Sequence, residues 1–200
     1  MPFGTIAASG WASGLNLYGT ALILGLAGRL GWADTPPELQ STWFLVLVGA
    51  LYAVEFVVDK VPWLDSAWDA VHTVIRPVGG ALLGVALAHD AGSSEVLAAL
   101  VSGGFSLTAH GAKASTRATA NLSPEPVSNV VLSLGEDGLV AGLMALALAY
   151  PAVAGVVTVV LVFTSVGVMY AFAKALSRLR RRWRERRAAR SAGATGPPRW

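Results

Sequence analysis

The stretch Glu55 to Arg76, EFVVDKVPWLDSAWDAVHTVIR, gathers acids, a histidine and an arginine between two segments apolar enough to enter a bilayer. Ionisable groups beside hydrocarbon are costly, so they mark functional positions by default. Read as a helix from Asp65, the chain brings Asp69, His72 and Arg76 round at +4, +7 and +11, within about 60° of one another. That face can offer two hard oxygens and an imidazole, from Asp65, Asp69 and His72, to a divalent cation, with Glu55, Asp59 or Glu125 completing the shell. It can equally carry a proton coupled to a moving solute, since His72 titrates nearest to neutral pH. A plain structural reading stands beside both: Asp65 caps the helix through Ser66 to Thr73, and Asp69 and Arg76 lie at headgroup level. Neither Glu-x-x-His nor His-Glu-x-x-His occurs in the chain.

A second polar stretch runs from His110 to Asp137 and reads HGAKASTRATANLSPEPVSNVVLSLGED. Its first part reads as helix carrying Lys113 and Arg117 one turn apart, as far as Ala120 and Asn121. Ser123-Pro124-Glu125-Pro126 then forms a stiff elbow, and Ser128 or Asn129 caps a new helix that ends near Leu134-Gly135, before Glu136 and Asp137. Complementary buried charges should find each other, which predicts Arg76 close to Glu136 or Glu125, and Asp69 close to Lys113 or Arg117. Lys60, Arg76, Lys113 and Arg117 also suit phosphate oxygens, so a membrane enzyme acting on a phosphorylated lipid or headgroup is one alternative. No nucleotide-binding glycine loop and no G-x-S-x-G elbow accompanies them.

The elements that position these groups follow from composition. Only 14% of residues are charged and 54% are hydrophobic, against about 25% charged in an average soluble domain. The expected class is all-α and polytopic, with apolar segments at roughly 12–30, 42–58, 77–89, 95–112, 137–150 and 152–172, hence about six transmembrane helices. The third is expected to extend backwards through His72 and Arg76, with Pro77 as a kink or first turn. With no cysteine, disulfides, thiolate catalysis and cysteine-held metals are excluded. The N-terminus lacks lysine or arginine before its apolar run, unlike a cleavable signal peptide, and is kept in the mature protein. Lysine and arginine bias places both termini in the cytoplasm, so that residues 59–76 and 113–136 face one compartment.

A faint repeat joins the two halves. Ser9-Gly10-Trp11-Ala12-Ser13 resembles Ser102-Gly103-Gly104-Phe105-Ser106, each read as SGxxS followed by an apolar residue and a glycine. Helices broken at such positions can line a midplane site and suggest a weak inverted repeat, with Ser9, Gly10, Ser13, Asn16, Ser102, Gly103 and Ser106 as helix-break positions. Close helix packing through small residues explains the same pattern.

The strings Glu55-Phe56, Asp59-Lys60, Pro62, Asp65, Trp68-Asp69, His72-Thr73 and Ile75-Arg76-Pro77, followed by Lys113-Ala114, Arg117, Asn121, Ser123-Pro124-Glu125-Pro126, Ser128-Asn129, Ser133 and Glu136-Asp137, resemble an uncharacterised family of bacterial integral membrane proteins. That family is classified only as a domain of unknown function. The resemblance covers roughly residues 8 to 172 and implies an all-helical protein of the bacterial inner membrane. It carries over no activity, substrate or cofactor.

The membrane domain is thus expected over residues 1–174, a basic amphipathic juxtamembrane helix lying on anionic lipid over 175–190, and a disordered tail over 191–200. Nucleic acid is an unlikely partner, because no recognition fold accompanies the arginines. Taken together, the residues predict a small permease or channel-like transporter with a cytoplasm-facing polar site for an ion or small solute, with a cavity reaching Asn16, Ser106 and His110. A divalent cation is its candidate cofactor, and a homodimer would enlarge the little volume six short helices enclose. A membrane scaffold or assembly factor is the rival, and predicts internal salt bridges instead.

Overall fold

The computed structural model describes residues 2–61, 63–90, 92–121 and 126–194. Among these the chain is all-helical: α1 (Phe3–Leu15), α2 (Leu17–Arg29), α3 (Pro37–Gln40), α4 (Thr42–Val58), α5 (Leu64–Asp90), α6 (Glu95–Ala120), α7 (Pro126–Ala149) and α8 (Pro151–Ala194). Local chemistry sets the boundaries. Proline opens α3, α7 and α8, where its missing N–H costs nothing. Ser41 and Ser94 cap α4 and α6 by accepting from the N–H of Phe44 and Leu97. Gly31 and Gly92 follow α2 and α5 at φ +72° and +62°, a backbone that side chains resist.

The central helix is α1, in which every residue from Thr5 to Leu15 is buried. Its small residues let neighbouring backbones approach: a Cβ on Gly4 would meet the Pro151 carbonyl, one on Gly10 the Cα of Ser102, and one on Gly14 the carbonyl of Ser106. The two SGxxS strings therefore face each other as a packing seam. Ser13 and Ser102 send their hydroxyls to the carbonyls of Gly10 and Ile6, at 2.7 and 3.0 Å. We expect Gly14→Val to cost about 3 kcal/mol or more by overpacking, read as lost thermal stability in detergent. Gly138→Ala, with nothing within 4 Å of the added carbon, should leave stability undiminished or raise it by up to about 1 kcal/mol.

Between α1 and α2 the chain turns back on itself. Thr5 Oγ1 donates to the Ala147 carbonyl at 3.1 Å, and Asn16 Nδ2 donates to Asp137 Oδ1 at 2.9 Å, so α1 runs antiparallel to α7. Yet Ile23 and Ala27 of α2, with Leu30 just after it, share a groove with Ala141, Ala145 and Leu148, back towards the end of α7 where Thr5 sits. Thus α1 and α2, each of 13 residues and so about 20 Å long, form a re-entrant hairpin with Asn16 at its tip. Asn16 is extended at φ −147°, ψ 99°, and its Oδ1 accepts from Gly19 N–H at 2.7 Å, capping α2. Backbone broken inside hydrocarbon must be enclosed by protein, and Asn16 is buried.

Two expectations are corrected by this turn. The apolar run 12–30 is not one crossing but parts of two half-length helices. The helices α1 and α6 run in the same sense, since Gly10 meets Ser102 and Gly14 meets Ser106, so they are not the opposed members of an inverted repeat; α6 itself passes unbroken through Ser102, Gly103 and Ser106. In addition, the start of α1 lies beside Pro151, at the α7–α8 turn, whereas the arginine tail leaves the other end of α8. The start of α1 and the far end of α8 therefore lie towards opposite ends of the bundle.

Among the described residues three helices are long and apolar enough to cross a membrane: α5 over Leu64–His89, α7 over Val127–Ala149 and α8 over Pro151–Arg187. These are three candidates, not clearly the expected six. The helices α2 and α4 are apolar but shorter, and α6 has the length, at 26 residues, but carries His110, Lys113 and Arg117. As expected, α5 extends back through His72 and Arg76 and contains Pro77. The polar stretches 59–76 and 113–136 are mostly helix, not connections. On the far side, α7 starts at Pro126, ahead of Ser128 and Asn129, and continues past Gly135 to Ala149; Ser123, Pro124 and Glu125 lie outside the described residues. The arginine segment is continuous with α8, and helix persists through Ser191 to Ala194.

Candidate functional site

The polar site is a column of charges running from the tip of the hairpin to the end of the bundle that bears the arginine tail. It is built by the end of α4, the first half of α5, the second half of α6 and the first half of α7. Asp65, Asp69, His72 and Arg76 lie on the buried face of α5, and His110, Lys113 and Arg117 on that of α6. Arg76 and Arg117 are 0% and 1% exposed, so nearly every charge must be answered by protein.

At the hairpin tip Arg76 is the hub. Its NH2 meets Glu55 Oε1 at 2.5 Å and its NH1 meets Asp69 Oδ1 at 3.0 Å. The same NH1 approaches His110 Nδ1 at 2.8 Å and the Gly14 carbonyl at 3.4 Å. A guanidinium only donates, so Nδ1 of His110 is bare and its proton sits on Nε2, 3.1 Å from Thr73 Oγ1. His72 has the opposite tautomer: Nδ1 donates to the Trp68 carbonyl at 2.8 Å, leaving Nε2 to accept from the Tyr18 hydroxyl at 3.1 Å.

One layer further on, Lys113 Nζ reaches the Leu15 carbonyl at 3.1 Å, Asp59 Oδ2 at 2.6 Å and Glu136 Oε2 at 3.2 Å. Arg117 pairs with Glu136 at 2.7 Å, Asp59 at 3.3 Å and Asp65 at 3.4 Å. Two buried cations thus answer the carbonyls that end α1, where the helix dipole is negative. Asn121 donates to Ser66 Oγ at 3.0 Å and accepts from Asn129 at 3.1 Å, tying α6 to α5 and α7 at the bundle's end. Lys60, in the turn after α4, donates to Ser133 Oγ at 3.3 Å and lies over the Phe56 ring. Burial pulls its ammonium below the ordinary lysine value, against the pull of Asp137 and Asp59.

The two polar stretches meet, but with other partners than the predicted ones. Arg76 pairs with Glu55 and Asp69, while Glu136 pairs with Lys113 and Arg117; Asp69 touches neither α6 cation. The cause is position along the helices, because Arg76 lies level with the hairpin tip and the end of α4. Asp65, Asp69 and His72 share a face without sharing a ligand: Asp65 holds Ser66 N–H and Arg117, Asp69 holds Arg76, and His72 is bonded through both nitrogens. Among the described residues no group of three or more acidic or histidine side chains is placed to hold a metal ion. Arg76, Lys113 and Arg117 all have carboxylate partners. Tyr18, Thr73 and the Gly14 and Leu15 carbonyls are members that sequence reasoning missed, although Tyr18 stands two residues from Asn16.

The charges do not balance. Glu55, Asp59, Asp65, Asp69, Glu136 and Asp137 face Lys60, Arg76, Lys113 and Arg117, six carboxylates against four cations. Among the described residues Glu55 Oε2, Asp59 Oδ1, Asp69 Oδ2 and Asp137 Oδ2 are buried and take no hydrogen bond, and the donors Trp68 Nε1, Arg76 Nε and Arg117 Nε are buried and give none.

Apolar helices enclosing a buried column of ion pairs define a multi-helix membrane-type protein with a charged interior. The chain belongs to the family described as a domain of unknown function, DUF4126, whose model matches residues 4–171 and leaves the arginine tail outside. No curated protein and no solved structure matches the chain.

Proposed function

We propose that this protein is a small permease of the bacterial inner membrane, channel-like in size, that moves a monovalent cation or proton through the column beneath the hairpin tip. The observation that carries the reading is the surplus of two carboxylates, with four buried oxygens that the protein leaves unbonded. A buried unanswered negative charge is unstable unless it takes up a positive partner, so the column has a standing affinity for cations. The half-helix ends at Leu15 and Asn16 add oriented backbone at the same depth, as midplane ion sites require.

By the bias of arginine towards the cytoplasm, the tail and the polar half of the bundle face inward and Phe3 faces outward. With α4 and α6 counted as crossings, five helices span and the hairpin enters from outside. The first arginines of the tail lie where the apolar part of α8 ends, within reach of anionic headgroups, and pairing of two copies would widen the enclosed volume.

Reconstitution into potassium-loaded liposomes with an internal pH dye tests this. An imposed diffusion potential should drive proton or cation flux well above that of protein-free liposomes, and Asp59→Asn should reduce it. Flux equal to empty liposomes for protons, sodium, potassium and small amines would overturn the proposal. The scaffold reading would then stand on a different observation: Asn16, Ser106 and His110, expected to line a cavity, are buried and bonded internally.

A further inference from the structure

The column is closed around Arg76 but opens to one side through Glu136. A cleft of about 320 Å³ lies between α6, α7 and α8, with Trp11 and Leu15 of the central helix behind it. Glu136 and Lys113 are its charged members. Both ion pairs of Glu136 use Oε2, which leaves Oε1 without an ion-pair partner among the described residues, and its side chain is 13% exposed.

Every donor in this cleft is already engaged. The three N–H bonds of Lys113 match three acceptors, the Leu15 carbonyl, Asp59 and Glu136. Trp11 Nε1 donates to Ser165 Oγ at 3.1 Å, and the hydroxyls of Thr116, Thr164 and Ser165 donate to carbonyls of their own helices. What remains is a set of acceptors: Glu136 Oε1 and the hydroxyl lone pairs. Counted by ion-pair contacts the layer behind them is one charge short of neutral, because Asp59, Asp65 and Glu136 pair with Lys113 and Arg117, while Lys60 attracts Asp59 without pairing with it. A monocation with N–H groups completes both deficits, and an anion completes neither.

The remaining walls are hydrocarbon, with Val131 and Leu139 exposed at 63% and 42%. Hard inorganic cations ask for about six oxygens, which these walls do not supply, whereas an aromatic residue, Trp11, is among the lining, and aromatic rings attract ammonium groups. We infer, building on the permease reading, that this cleft binds a small protonated amine with an apolar body, an alkyl- or arylammonium, as the cargo that Glu136 receives.

Calorimetry on the full chain in detergent, with benzylammonium as the probe and benzyl alcohol and benzoate as comparators, tests the inference. Benzylammonium should bind saturably and the comparators should not. Glu136→Gln should weaken it by about tenfold or more, the loss of one charged hydrogen bond. Leu139→Trp, which fills the rim without touching a charge, should weaken it as well, and carries the test if Glu136→Gln fails to fold. No binding, equal binding of benzyl alcohol, or an affinity unchanged by Leu139→Trp would overturn the inference. Proton or potassium flux without amine binding removes this inference and leaves the permease; amine binding without any flux removes the permease and leaves the cleft.

Discussion

Arg76→Ala should be among the most damaging single changes in the chain, lowering stability by about 3–5 kcal/mol, the cost typical of stripping one partner from a buried ion pair. The side chain is fully buried and draws groups from α1, α4, α5 and α6 to one point: the Gly14 carbonyl, Glu55, Asp69 and His110. Removing it strands two carboxylates and frees the carbonyl that closes the hairpin. Thermal unfolding in detergent reads the loss. Adding Glu55→Gln and Asp69→Asn to Arg76→Ala should recover part of it, since the residual penalty is stranded charge more than lost packing. By contrast Arg181→Ala, in an exposed pair with Glu185 at 2.9 Å, should leave stability unchanged. An Arg76→Ala protein as stable as the parent would mean that water already reaches these carboxylates.

The face bearing this site was legible in the sequence, and the partners across it were not. Helical spacing alone puts Asp69 and Arg76 seven residues apart on one side of α5, and they pair. Glu55 reaches the same arginine from another helix, a contact that depends on where α4 ends relative to the hairpin tip. Gly135 reads as a helix stop, yet nothing presses on it and α7 passes through; an isolated glycine costs only about 1 kcal/mol, which packing overrides. The hairpin was hidden for a related reason. Residues 12–30 have the length and apolarity of a single crossing, while Gly4, Thr5, Ser9 and Ser13 make the true first helix look too polar to be buried. It is buried because those residues are small and bond within the bundle. Asn16 between Gly14 and Gly19 was the local mark of the break, but its direction depends on α7.

The hairpin supports everything else, since only a chain that reverses at Asn16 brings the Gly14 and Leu15 carbonyls to Arg76 and Lys113 while returning Leu30 to the end where Thr5 began. The native chain has no cysteine, so two introduced ones are labelled without ambiguity. Pro2 and Trp32 flank the hairpin and are both exposed. Spin labels on a Pro2→Cys, Trp32→Cys variant in lipid bilayers, measured by double electron–electron resonance, should report a separation well short of about 40 Å, the length of a straight helix over residues 3–29, with both labels quenched by a reagent added to the same side. A distance near 40 Å with labels on opposite sides would mean that the first segment crosses the membrane, and would contradict the hairpin and the cation site at its tip.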